Sequence, residues 1–260
     1  IVKEVLVQEG QQVKEGQPML RLDGAVAKAN YEAVRQRYLG YRAMQSRLFA
    51  EQAGRDVIDF HPDVKAAMND PLIKQQVTTQ QQLIQARRAA LAADLQGIEE
   101  SIQGLKEQLN SYQNILVQRR SQLALLTEEL TNTRGMVKEG YAPRNRQLEL
   151  ERMVAESNAA IADLTGNSMR VSRQVAELTQ RSMARKQEYR KEIESQLADV
   201  TREVQSDAEK YVAVTADLDR MEIKAPANGQ VVGLTVQTVG AVLQPGQKLL
   251  DVVPENQTLL

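Results

Sequence analysis

One short β motif is written twice in this chain. Gly10 to Leu22 reads "GQQVKEGQPMLRL" and Gly240 to Val252 reads "GAVLQPGQKLLDV"; both fit G-x-x-[VL]-x-x-G-Q-x-x-L-x-[LV], with every matched position offset by 230 residues. Each flank is too short to close a β core alone. Residues 1–22 alternate through Val5 and Val7, turn at Gly10 and Gly16, and end on Leu20 and Leu22. Residues 223–253 run through Val231, Leu234 and Val236 to Leu250 and Val252, with turns at Gly229, Gly240 and Pro245-Gly246. Glycine at such turns supplies the positive φ that other residues resist, and Pro-Gly sets a tight turn. The two copies must therefore meet, and the chain between them must travel out and return.

The intervening residues have the pattern for that journey. From Val77 the apolar positions step by four and three: Val77, Ile84, Leu91, Ile98, Leu105, Tyr112 and Leu126 on one seam position, and Leu95, Ile102, Leu109, Leu116, Leu123, Leu130 and Val137 on the other. Arg88, Arg119 and Thr133 interrupt it. A repeat of 3.5 residues held this long, with Glu, Gln, Lys and Arg between, makes a helix wrap a partner as a left-handed coiled coil. Then "RGMVKEGYAPRNRQLELE" turns the chain. Gly140 suits the left-handed residue that ends a helix, Lys138 sits in the last turn where the dipole favours a cation, and Pro143 suits the start of a new helix. A second run follows through Leu150, Val154, Ile161, Leu164, Val171, Val175 and Leu178. It resumes one residue out of phase at Ile193, Leu197, Val200, Val204, Tyr211, Val214 and Leu218, after a polar stretch over 179–192. Helices of about 65 and 75 residues reach about 100 to 115 Å. Each is the simplest partner for the other across a short loop.

An earlier helical stretch, 25–53, carries Tyr31, Val34, Tyr38, Tyr41 and Leu48 on one side, and the proline- and aspartate-bearing segment 54–71 breaks it. The expected fold is mainly α: a long antiparallel hairpin with an extra first helix, inserted between the halves of a small β-sandwich. Its parts are 1–23 and 223–254 for the β halves and 24–222 for the helices (25–53, 72–138 and 144–220, with a tip at 139–143). Residues 255–260 read as the start of a further domain. The opening on Ile1 and the close on "PENQTLL" read as the ends of a piece of a longer protein.

Charge and composition exclude several functions. Lys plus Arg is 33 against 34 for Asp plus Glu, and aromatics make up 3% of the chain, so the basic face of a nucleic-acid binder is missing. With no cysteine there are no disulfides, zinc-thiolate sites or thiol catalysis. No stretch reaches the roughly 18 apolar residues of a membrane span. The carboxylates on the helices are solvated charges flanking a seam, with no concave pocket for acid-base work, so no enzymatic activity is expected.

The split half-motifs, with "IKAPANGQVVGL" (223–234) opening the second, resemble the lipoyl-like domain of periplasmic adaptor proteins, also called membrane fusion proteins. The long hairpin, the extra first helix, the "DFHP" break (59–62) and the tip "MVKEGYAPRNRQLELER" (136–152) resemble the haemolysin-secretion type, the adaptors of type I secretion systems. That resemblance implies a protein held at the inner membrane by a segment outside this sequence, with its hairpin in the periplasm. It implies an ABC transporter at the base, a TolC-like outer-membrane channel at the tip, and a ring of copies, commonly six. A drug-efflux adaptor of the same architecture, or a lipoate- or biotin-carrying subunit, are the alternatives.

The candidate partner-binding residues form the tip: Arg134, Met136, Val137, Lys138, Glu139, Gly140, Tyr141, Ala142, Pro143 and Arg144. A loop that needs only turn chemistry has no use for Met136, Val137 and Tyr141 far from a globular core. Many adaptors carry an Arg, Leu, Ser/Thr pattern there; here the corresponding places hold Asn132, Met136 and Pro143. Lys28, nearest to where a carrier lysine would stand, reads as a solvated helix residue, and no cofactor is expected. His61 lies with Asp56, Asp59 and Asp63, but the spacing lacks the glycine and terminal glutamate of a calcium loop, so turn chemistry is the preferred reading over a metal site.

Overall fold

The computed structural model describes residues 1–236, 238–244 and 246–254. Pro245 and the stretch 255–260, expected to open a further domain, lie outside the described residues. In chain order the elements are β1 (Val2–Val5), β2 (Gln12–Val13), β3 (Pro18–Leu22), α1 (Ala25–Gln52), α2 (Pro62–Ala66), α3 (Pro71–Lys138), α4 (Arg144–Asp219), β4 (Glu222–Lys224), β5 (Gly229–Val232) and β6 (Asp251–Val253). They fall into two compact units: Ile1–Ile84 with the residues from Ile193 on, and Gln85–Glu192.

In the first unit, two three-stranded sheets, ordered β1-β3-β4 and β2-β5-β6, each combine strands from both ends of the chain. β3 pairs antiparallel with β4 (Leu20 opposite Ile223) and β2 with β5 (Val13 opposite Gly229). The buried clusters mix the two ends as well. Val7, Val13 and Met19 pack with Ala225, Val231 and Leu234, while Val2 and Leu20 pack with Val236. The Glu9 carboxylate adds a polar tie, accepting from the amides of Gly233 and Leu234, both at 2.7 Å. Neither half has a core without the other.

The shared motif also builds the same local structure in both copies. Gly10 and Gly240 take φ of 81° and 93°, and Gly16 and Gly246 take 77° and 81°. The glutamine after the second glycine folds back on its own turn each time: Gln17 Oε1 accepts from the Lys14 amide, and Gln247 Oε1 from the Gln244 amide, both at 3.1 Å. Gly229 departs from the expectation of a turn. It opens β5, and a Cβ there would stand 2.3 Å from the Val253 carbonyl oxygen, so glycine is required by the close passage of β6.

Below the sheets, α1 packs on the first turns of α3 and the last turns of α4, burying Leu39, Leu48, Ile73, Val77, Val200 and Val204, and polar ties cross the same contact. Arg37 clasps Asp207 with two hydrogen bonds of 2.7 and 2.5 Å. Gln45 reaches Thr201, Arg35 pairs with Asp70, and Arg47 donates to Gln80. The break between α1 and α3 is not wholly irregular: it holds the one-turn helix α2, which anchors Val64 in the interior. His61 caps it, Nδ1 accepting from the Asp63 amide at 3.2 Å, while Asp63 accepts from the Tyr38 hydroxyl and Asp59 pairs with Lys65.

Tyr211 of α4 stacks on Tyr38, with centroids 5.4 Å apart, and shares a hydroxyl contact of 3.2 Å with Tyr31. Burial first, and the Tyr31 hydroxyl second, push the Tyr211 phenol up to about 12. A folded-state value above the unfolded one of about 10 means that the native state holds this proton longer, so stability present below about pH 10 is lost as pH rises toward 12. The expected result is a fall in the denaturation midpoint over that window that is smaller in Tyr211→Phe, the comparison cancelling lysine titration common to both proteins.

In the second unit α3 and α4 run antiparallel. Cross-helix ion pairs join Arg134 to Glu151 near the turn, then Arg185 to Asp94 and Arg87 to Glu192 progressively farther along both helices. The heptad positions face inward: Ile102, Leu116, Leu130, Leu150 and Val171 are buried, and the intervening seam residues are half-buried. Knobs from each helix therefore fill the other's apolar stripe, as a 3.5-residue repeat demands.

Candidate functional site

The turn joining α3 to α4 is built by a glycine-centred helix stop. The Tyr141 amide donates to the Met136 carbonyl at 2.8 Å and the Gly140 amide to the Val137 carbonyl at 3.1 Å, with Gly140 at φ 83°. These two bonds are the paired signature of a Schellman motif, which satisfies the last carbonyls of α3 and reverses the chain in few residues. Pro143 then directly precedes α4, where its missing amide proton costs nothing.

The helices beneath the turn are clamped. Arg134 meets Glu151 at 2.8 Å and Arg146 meets Glu129 at 2.7 Å, and both pairs cross the hairpin. The Gln147 amide and then the Arg134 guanidinium hold the Glu151 carboxyl below the usual carboxylate range, while Glu129 and Glu149 raise Arg146 further above an already high value. Leu130 and Leu150 are buried between the helices, so the turn stands on a packed support.

Against that support, several apolar groups face outward. Met136 is 48% exposed and Tyr141 77%. Val137 and Ala142 are half-buried, whereas Arg134, Lys138, Glu139, Gly140, Pro143 and Arg144 are exposed. Met136 and Tyr141 flank the glycine stop, and Arg134 is turned into the clamp. The sequence reading missed Leu148, 53% exposed on the first turns of α4, and the clamp residues Glu129, Arg146 and Glu151. Leu148 was detectable in principle, because it falls off the Leu150–Val154 seam. Such an arrangement presents an open, convex surface, and the titratable groups beneath it are already paired with one another in the clamp.

The turn and both flanking helices lie within residues 27–217, which match the family model described as "AprE, long alpha-helical hairpin". The chain is 35% identical over 259 residues to the alkaline protease secretion protein AprE of Pseudomonas aeruginosa, covering 100% of this chain and 60% of that protein. It therefore spans about 60% of the length of such curated relatives. Among solved structures, it is similar to the soluble domain of LipC, a membrane fusion protein of a type I secretion system, with TM-score 0.88, 32% identity, and 98% and 96% of the two chains covered. The periplasmic adaptor protein EmrA shares the fold at TM-score 0.60 and 17% identity, over 97% of this chain and 68% of its own.

Proposed function

This chain belongs to the AprE long α-helical hairpin family of type I secretion membrane fusion proteins, and on that premise we propose that it works as a periplasmic adaptor in protein export. In this reading a ring of copies, commonly six, links an inner-membrane ABC transporter to a TolC-like outer-membrane channel. No helix among the described residues is long and apolar enough to cross a membrane.

The role is geometric. Hairpin length sets the distance bridged, the turn selects the channel, and the β domain, assembled from both ends of the chain, fixes where the hairpin starts. The observation that carries the reading is the turn itself: a rigid, clamped stop that presents Met136, Tyr141 and Leu148 to solvent. Exposed apolar groups on a rigid support are the usual mark of a contact surface.

A multidrug-efflux adaptor is the second reading, favoured only by the shared fold with EmrA. Complementation separates the two. In a strain lacking the corresponding gene, the full-length protein should restore secretion of a protein substrate and leave drug resistance unchanged; restored resistance without secretion would reverse the assignment.

A further inference from the structure

The seam of the second unit is not uniform. On α4 the aliphatic positions stop at Leu178 and resume at Ile193, and the seam places between them hold Ser182, Arg185 and Tyr189, all half-buried. Opposite them on α3 stand Leu91, Leu95 and Ile98, also half-buried, so an aliphatic stripe here meets a polar one. The helices are joined in this stretch by ions. Arg185 Nε lies 3.0 Å from Asp94, Arg87 lies 3.3 Å from Glu192, and the Arg87 guanidinium sits over the Tyr189 ring at 5.4 Å from its centroid. The side chains of Asp94 and Glu192 are 53% and 46% exposed, so water and salt reach both pairs.

The spacing is disturbed at the same place. Leu178 to Arg185 is seven residues, but Arg185 to Ile193 is eight, a skip that knobs-into-holes packing cannot absorb without loosening. Neither helix contains proline between 85 and 98 or between 178 and 192, the one glycine in these stretches is Gly97 at the edge of the α3 stretch, and both helices are continuous there. The missing aliphatic positions and the skip therefore place the weakness between the helices, over the whole of 178–192 and not at Gly97 alone.

We propose that residues 85–98 and 178–192 form a salt-sensitive opening segment, in which α3 and α4 separate locally while each stays helical and the aliphatic heptads nearer the turn stay closed. Exposed ion pairs hold helices together weakly and are screened within a Debye length, whereas buried aliphatic knobs are not. A hairpin built this way yields at one chosen level without unfolding.

Hydrogen exchange read by mass spectrometry on the whole chain tests this. Peptides covering 85–98 and 178–192 should exchange on the order of tenfold faster than those covering 102–116 and 161–175, since missing aliphatic burial lowers the opening cost. Raising salt from about 0.05 M to about 1 M should speed the first pair on the order of threefold and leave the second unchanged. Ser182→Leu with Arg185→Leu, which completes the aliphatic seam and removes one of the two ion pairs, should slow exchange in the segment and reduce the salt response. Asp94→Asn should speed exchange at low salt only. Uniform protection along the hairpin, or an unchanged salt response in the leucine variant, would overturn the proposal.

Discussion

Glu51→Ala is expected to lower the stability of the first unit by about 3 to 5 kcal/mol, because it removes the counter-charge of a guanidinium taken out of water. The Arg47 and Glu51 side chains are 2% and 0% exposed and meet at 2.7 Å, with Arg47 Nε also donating to Gln80 Oε1 at 2.7 Å. Removing one member of a buried pair keeps the desolvation cost of the other and discards the attraction that offset it. The same reasoning predicts the opposite result for the double variant Arg47→Met with Glu51→Leu, which should fall within about 2 kcal/mol of the natural protein or exceed it. Chemical denaturation followed by circular dichroism and by tyrosine fluorescence checks both. The fluorescence signal is weighted toward the first unit, which holds Tyr31, Tyr38, Tyr41 and Tyr211 against Tyr112, Tyr141 and Tyr189 in the second, so the change that Glu51→Ala makes to it is read against the natural protein. Equal losses in the single and double variants would mean that α1 is held by packing alone.

That pair also marks where sequence reasoning ends. Arg47 and Glu51 stand four apart on a helix, a spacing that almost always denotes a solvated surface pair. Arg47 also reaches Gln80, 33 residues onward, a contact that the i, i+4 spacing does not announce. Asp207 is similar: one acid in a charged stretch of α4, yet 1% exposed because Arg37 of α1 closes over it. The hairpin, in contrast, was legible because a seven-residue period repeats often enough to outweigh individual exceptions. The joining of the chain ends was legible for another reason: the twin motifs are each too short to bury a core, which left mutual burial as the physical solution. Gly229 was misplaced because glycine signals both positive φ and close backbone approach, and sequence does not distinguish them. The tip residues are proposed from chemistry that does not suit a bare turn, whereas the clamp of Arg134, Glu151, Arg146 and Glu129 required knowing the register of the two helices.

The tip supports the largest functional prediction. If the protein is the export adaptor proposed above, changing Met136 and Tyr141 together to serine in the full-length protein should cut export at least tenfold, the scale on which paired interface anchors act, while helix content and denaturation midpoint stay unchanged. Neither side chain supports the fold: they are 48% and 77% exposed, and the bonds of the Schellman stop use only their backbone groups. Gly140→Ala tests the competing idea that the turn conformation alone matters. It forces a Cβ into φ 83°, which costs about 1 to 2 kcal/mol and strains the stop while leaving both apolar groups in place. If docking uses the side chains, the serine variant loses export at full stability and the alanine variant loses stability with export largely kept. If these residues serve only to reverse the chain, the pattern inverts, with the serine variant exporting normally. Tyr141→Phe refines the outcome: it retains the ring and removes the hydroxyl, so export at the natural level would assign the contact to apolar burial, and a loss would assign it to a hydrogen bond made by the hydroxyl.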